Sequence, residues 1–249
     1  MMQFVNPARL QPERVFHRSF FSKLAGHEVG YQIYLPAGYE EENRRWPLVC
    51  HLHGWQGNES SEIGAMEKVY RDGKAIYAFP NLYLPVDDPE HFPLEEMVLK
   101  EFIPHIEREY HAGGQRDARF LSGFSMGGGM AFVYAVKHPE LFAGVTACAG
   151  TYHHYFDQGF LTVDADAGQA EQYRDLILTS EKVTENNILH RLNRQADAIR
   201  GTLKIELRVG MSDVLYCDNE IVHLHLDALN IPHTYVRIPW AAHELSKIV

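Results

Sequence analysis

The sequence predicts an α/β fold, a single domain over residues 1–249 in which a mainly parallel central sheet carries helices on both faces. Three observations predict it. Strand-like apolar runs alternate with helical periodicities along the chain, the pattern of a parallel sheet whose crossovers are helices. Gly123-Phe124-Ser125-Met126-Gly127-Gly128 sets a G-x-S-x-G turn between one such run and a helical one. The 249 residues, 45% of them hydrophobic, suffice for one large core, and no linker or repeat divides them.

The first strands begin near Val15 and are expected to pair antiparallel at one edge, with residues 28–35 among them. Residues 48–53 and 75–79 are short apolar runs and read as strands of the sheet. Residues 94–110 read as a helix because Met97, Val98, Phe102 and Ile106 recur at helical spacing. A short strand at 120–122 leads into the G-x-S-x-G turn, and Met130, Ala131, Val133, Tyr134 and Val136 then give a helical run that ends before Pro139. Residues 144–149 form the next strand.

From Thr151 to about Arg200 the chain is least regular, and a lid or pocket wall is expected there. Tyr152, His153, His154, Tyr155, Phe156 and Phe160 crowd its start. Such rings suit an aromatic or sugar-linked acyl group, and equally suit packing of the insertion onto the sheet. Residues 202–209 alternate as a strand, a helix follows from about 219 to 229, and 233–238 read as the last strand, closed by Pro239.

The chemistry is carried by the G-x-S-x-G turn. A nucleophile in a strained strand-to-helix turn needs glycine neighbours, because side chains there would collide with the adjoining strand and helix. The helix that follows aims N–H groups and its positive dipole end at charge developing on an acyl oxygen. Ser125 is the candidate nucleophile. An acid and a histidine should follow in that order at the ends of later strands. Gly210-Met211-Ser212-Asp213 follows the strand at 202–209, which makes Asp213 the candidate acid, with Asp218 the alternative as a helix cap or acid. His243, in the loop after the final strand, is the candidate base. His138, His190, His223 and His225 fall on helical stretches away from that position. Upstream, 48–53 breaks into His53-Gly54-Trp55-Gln56-Gly57, where an oxyanion hole should begin. Its N–H donors are expected from Trp55 and from Met126, the residue after the serine. Gln56 is the other candidate in that loop, and Gln56, Tyr152 and His153 are expected to face substrate.

At this point the chain resembles the esterase-D-like family of α/β-hydrolases over nearly its whole length. The resemblance lies in YQIYLPAGYE from Tyr31, WPLVCHLHGWQGNE from Trp46, FLSGFSMGGGMAFVYAVKHPELFAGVTACAG from Phe120, VGMSDVLY from Val209 and PWAAHEL from Pro239. It implies the α/β-hydrolase fold, a Ser125–His243–Asp213 triad, Trp55 and Met126 as oxyanion donors, and ester hydrolysis without a cofactor. The family includes feruloyl and acetylxylan esterases, S-formylglutathione hydrolases and mycolyl acyltransferases. The implied partner is therefore a small-molecule or carbohydrate-linked ester, with a homo-oligomer left open. Two departures stand out. Relatives usually continue into a helix beyond the final histidine, whereas six residues follow His243 here, so one sheet face is expected to be less covered. Formylglutathione hydrolases usually carry histidine where this chain has Phe124, which argues against that branch.

Composition narrows the classes further. A formal charge of −10, from 33 acidic and 23 basic residues, supplies no electrostatic footprint for nucleic acid or anionic membranes. No run of 18 apolar residues is present, and the amino-terminal residues lack the apolar centre of a signal peptide. The chain as given reads as cytoplasmic, or as secreted if a leader has been removed. Cys50, Cys148 and Cys217 form no spaced framework and are expected as buried free thiols. His51/His53, His153/His154 and His223/His225 lack metal-ligand spacing, and no phosphate loop or dinucleotide fingerprint exists, so neither metal nor nucleotide is expected.

Overall fold

The structure, a computed structural model, describes residues 3–42, 44–88, 91–152 and 187–249. Eight strands form one sheet: β1 (Val15–Ser22), β2 (His27–Tyr34), β3 (Leu48–Leu52), β4 (Ile76–Pro80), β5 (Arg119–Phe124), β6 (Gly144–Cys148), β7 (Lys204–Gly210) and β8 (Thr234–Ile238). Their order across the sheet is β1-β2-β4-β3-β5-β6-β7-β8. β1 pairs antiparallel with β2 and β2 antiparallel with β4, and every later pairing is parallel. The antiparallel edge expected from Val15 onward is therefore present.

The described helices are α1 (Glu67–Asp72), α2, α3 (Met126–Lys137), α4 (Ile188–Ile199), α5 (Tyr216–Ala228) and α6 (Leu245–Ile248). α2 is continuous helical chain built from Leu94–Glu96, a π-helical Met97–Phe102 and Ile103–Glu109. The π segment runs into Pro104, which has no N–H to return to the preceding turn, so the ladder widens there instead of breaking. Met97, Val98, Phe102 and Ile106, the predicted face, are fully buried. α5 starts at Tyr216, three residues ahead of the expected position.

Helices cover both faces. One core cluster packs Phe102 and Ile106 of α2, Phe132 of α3, Leu192 of α4 and Leu226 of α5 against Ile33, Leu48 and Leu207. The other joins Tyr70 of α1 to Tyr34, Tyr77 and Phe79, with Leu245 and Ile248 of α6. On this second face a cleft of about 400 Å³ lies open between α1 and the sheet, lined by Val49, Tyr77, Phe120, Thr146, Arg208 and Val249. α6 is only four residues long and leaves that stretch of sheet uncovered. The cysteines are free thiols, but only Cys50 and Cys148 are buried; Cys217 is exposed on the first turn of α5, contrary to the expectation for all three. Among the described residues no helix is long and apolar enough to cross a membrane.

Candidate active site

β5 ends at Phe124 and α3 begins at Met126, so Ser125 alone makes the turn. Its backbone, φ 55° and ψ −119°, lies where a residue with a side chain is strained. Three main-chain bonds hold it there: Ser125 N–H donates to the Cys148 carbonyl at 2.9 Å, and the Gly129 and Thr151 N–H groups both donate to the Ser125 carbonyl at 3.0 Å. The glycines are required by close approach. A Cβ on Gly123 would stand 2.2 Å from the Gly127 carbonyl oxygen, and one on Gly127 would stand 1.9 Å from that of Leu52.

The loops after β7 and β8 bring the acid and the base to this serine. Met211 N–H donates to the Ile238 carbonyl and Ser212 N–H to that of Ala241, each at 2.9 Å, so the two loops are laced together. The Asp213 side chain is fully buried and accepts the Leu215 N–H at 2.8 Å through Oδ1. His243 Nδ1 lies 3.0 and 2.9 Å from the two Asp213 oxygens, and its Nε2 lies 2.9 Å from Ser125 Oγ. A carboxylate only accepts, so Nδ1 carries the hydrogen and Nε2 presents its lone pair to the serine hydroxyl. Asp218 stands in the first turn of α5 and is not in this chain of bonds. The Phe124 ring stacks on the His243 imidazole, centroids 4.6 Å apart at 30°, and backs the base against the turn.

The His-Gly loop lies against the serine: a Cβ on Gly54 would be 3.4 Å from Ser125 Cβ. Residues 54–57 form a tight turn closed by Gly57 N–H donating to the Gly54 carbonyl at 3.0 Å, with Gln56 at φ 59°. Three buried side chains fix it. Glu62 Oε1 accepts the Gly54 N–H at 2.8 Å, and Glu62 Oε2 accepts from His51 Nε2 at 2.6 Å. His51 Nδ1 is thereby left to accept from Ser122 Oγ at 3.1 Å. His53 accepts the Leu82 N–H through Nε2 at 2.9 Å and donates from Nδ1 to the Gly54 carbonyl at 2.7 Å. Burial holds the His53 pKa below the ordinary imidazole value, so the ring keeps this neutral tautomer. His51 and His53 are therefore struts of the loop, each with both ring nitrogens engaged.

Trp55 belongs to the turn beside Ser125, and Met126 opens α3, where helix N–H groups have no partner inside the helix. Around them the loops carry exposed apolar side chains: Trp55, Met211, Val214 and, at 90% exposure, Trp240. Tyr152 takes a different place from the one expected. Its ring is buried, packs edge-on to Phe132 at 5.7 Å, and fills the core behind α3 instead of lining a pocket. Burial likewise pushes the Cys148 thiol up to about 12, too high for a nucleophile beside the turn. His153, with most of the expected 151–200 lid, lies outside the described residues. Glu62 and the stacking role of Phe124 carry no sequence signal: Glu62 acts through the fold of its own loop onto His51 and Gly54, and Phe124 meets His243 only across the sheet edge.

Residues 22–223 match the family model described as "Putative esterase". An endo-1,4-beta-xylanase/feruloyl esterase of Xylanibacter ruminicola is 27% identical over 145 residues, 50% of this chain and 20% of that protein. Esterase Rv1288 of Mycobacterium tuberculosis is 24% identical over 149 residues, 55% of this chain and 32% of that protein. The chain thus aligns with a fifth to a third of the length of these curated relatives. Among solved structures, a ferulic acid esterase superposes with a TM-score of 0.72 at 19% identity, covering 94% of this chain and 92% of the other. The S-formylglutathione hydrolase FrmB of Staphylococcus aureus gives 0.73 at 17% identity, covering 93% and 92%. The fold is that of the α/β-hydrolases.

Proposed function

Because the chain belongs to this esterase family, we propose that it is a serine carboxylesterase working through Ser125, His243 and Asp213 by way of an acyl-enzyme. The observation that carries the reading is the continuous chain of contacts from Asp213 through His243 to a serine held in a strained turn. His243 Nε2 takes the Ser125 proton as Oγ attacks the ester carbonyl, and buried Asp213 holds the imidazole in the tautomer required and stabilises its cation. The negative oxygen of the tetrahedral intermediate is received by the N–H groups of Met126 and Trp55, the first at the positive end of α3. The imidazolium returns its proton to the leaving alcohol. Water, deprotonated in turn by His243, then cleaves the acyl-enzyme and frees the carboxylic acid.

The substrate class we propose is an acetyl or feruloyl ester linked to carbohydrate. The apolar rim of Trp55, Met211, Val214 and Trp240 supports it, since an aromatic acyl group needs such walls. The activities named for the endo-1,4-beta-xylanase/feruloyl esterase relative and for the ferulic acid esterase neighbour point the same way. Thioester hydrolysis and transfer to another alcohol use the same residues. Against S-formylglutathione, Phe124 occupies the position where that branch usually carries histidine.

Labelling with a fluorophosphonate, followed by peptide mapping, tests the nucleophile, with Ser125→Ala as control. The expected result is one adduct on Ser125, absent from the variant, with turnover of p-nitrophenyl acetate lost to the same extent in Ser125→Ala and His243→Ala. Near-normal turnover by His243→Ala would remove the proposed base. Methyl ferulate, acetylated xylan and S-formylglutathione, assayed side by side, then rank the substrate classes.

A further inference from the structure

Far from Ser125, at the opposite end of β8, three side chains converge that the proposed reaction does not use. Among the described residues His223, Asp227 and His233 form a group whose ligand atoms all lie within 4.8 Å of one another. His223 and Asp227 share a face of α5 at i and i+4, and His233 sits immediately before β8. β8 has five residues, so about 16 Å of strand separates this group from the loop carrying His243.

A hydrogen bond fixes what His233 presents, and a longer ion-pair contact bears on His223. His233 Nδ1 lies 2.8 Å from the Ile231 carbonyl oxygen, which can only accept; Nδ1 therefore carries the hydrogen and Nε2 a lone pair. His223 Nε2 faces the Asp227 carboxylate at 3.5 Å, which favours the hydrogen on Nε2 and leaves a lone pair on Nδ1. With the hydrogens so placed, His223 Nδ1 and His233 Nε2 stand 2.8 Å apart, each with a lone pair. The 2.8 Å contact is met either by a neutral His223 donating from Nδ1 to His233 Nε2 or, when both nitrogens present lone pairs, by a cation held between them.

The dimensions suit a metal. Two bonds of about 2.05 Å at a right angle span about 2.9 Å, and at the tetrahedral angle about 3.3 Å. The observed separation fits a cis pair of a tetragonal or octahedral ion directly, and a tetrahedral ion after the rings part by about 0.5 Å. Asp227 Oδ1, 4.0 Å from His233 Nε2, supplies a third ligand from an exposed side chain that can turn inward. His233 has the outer partner that orients a metal ligand, the Ile231 carbonyl. The Tyr235 ring stacks on His223 at 4.3 Å and fixes its plane. His233 is nearly buried while Asp227 is open to water, so an ion would keep solvent ligands on one side.

We propose that His223, His233 and Asp227 bind one divalent transition-metal ion of the class that takes imidazole nitrogen, such as nickel or zinc, and that the ion clasps the end of α5 to the start of the edge strand β8. The site is independent of the catalytic residues. Tag-free, EDTA-stripped protein titrated with NiCl2 and with ZnCl2 in a calorimeter tests it. The expected result is one ion per chain with a micromolar Kd, a higher melting temperature in the bound form, and hydrolysis of p-nitrophenyl acetate unchanged within twofold. His223→Gln and His233→Ala should each weaken binding at least tenfold. Asp227→Asn, at an exposed position that leaves folding intact, should weaken it about threefold to tenfold. Absence of binding below 100 μM would show that the pair shares only a proton, and binding by His223→Gln and His233→Ala as tight as the parent's would show that other histidines take the metal; either overturns the assignment.

Discussion

Glu62 is the residue whose removal tests how the oxyanion loop is held. It is 9% exposed and touches none of the triad, yet its two oxygens accept the Gly54 N–H at 2.8 Å and His51 Nε2 at 2.6 Å. In Glu62→Ala both donors remain buried without an acceptor, at about 1–3 kcal/mol each in stability. The turn is then fixed to its surroundings chiefly through the His53 bond to the Gly54 carbonyl. Loss of a whole oxyanion donor costs about 10²–10³ in kcat. A loosened donor should cost less, and we expect a fall of about 10- to 100-fold, with KM changed less than threefold because the carboxylate is spent on the Gly54 N–H and His51. Glu62→Gln keeps an oxygen for the Gly54 N–H, and an His51 tautomer change can satisfy its amide. It should lose about 1 kcal/mol, a fivefold effect on kcat. Initial rates with p-nitrophenyl acetate, read beside thermal denaturation of each variant, make the comparison. A folded Glu62→Ala enzyme with kcat within twofold of the parent would refute the claim that this carboxylate positions the hole.

Two further expectations concern packing and charge. Phe124→Ala removes the ring stacked on His243, a contact worth about 0.5–1.5 kcal/mol; kcat and the rate of fluorophosphonate labelling should fall together by about 2- to 10-fold, whereas Phe124→Tyr should stay within twofold, and unequal responses of the two rates would speak against a role at the base. Glu107 caps the entry to β5 by accepting from both Arg119 Nε and Nη2 and from the Gly114 N–H. Burial alone would raise its pKa, but the Arg119 and Gly114 hydrogen bonds outweigh it and hold the carboxyl below its ordinary 4.5. A depressed folded-state pKa gives stability that is present above 4.5 and lost as the pH falls through the folded value. Glu107→Gln should therefore cost about 1–2 kcal/mol at pH 7, and the gap in melting temperature from the parent should close as the pH falls below 4.5. A gap constant from pH 7 to pH 3 would contradict this.

What could be read in advance follows a physical division. Periodicity and punctuation are local, so the strands, the face of α2 and the serine turn could be read from consecutive residues. Asp213 and His243 could be read because a parallel sheet gathers its strand ends at one edge, which turns chain order into proximity. Tyr152 shows where that reasoning weakens. An aromatic residue just beyond a strand end belongs to a pocket wall or to the core according to which way the next segment turns, and here Thr151 is bonded back to Ser125, which carries the ring inward against Phe132. Glu62 and Phe124 are invisible for a different reason: their consequence depends on the turn each contacts, and neither spacing nor residue type announces it. The histidines make the same point at the surface. His223 and His225, two apart, do not share a helix face, and His225 turns to the Leu189 carbonyl, while the partners His223 meets are Asp227, one turn on, and His233, which only the return of the chain into β8 brings within 2.8 Å. Reading ligands by adjacency along the chain favours the neighbours a helix holds apart. The geometry that matters is the return of the next element, and in an α/β fold each return recurs at the start of a strand, the end of the sheet away from the serine, where residues free of catalytic duty can take up other chemistry.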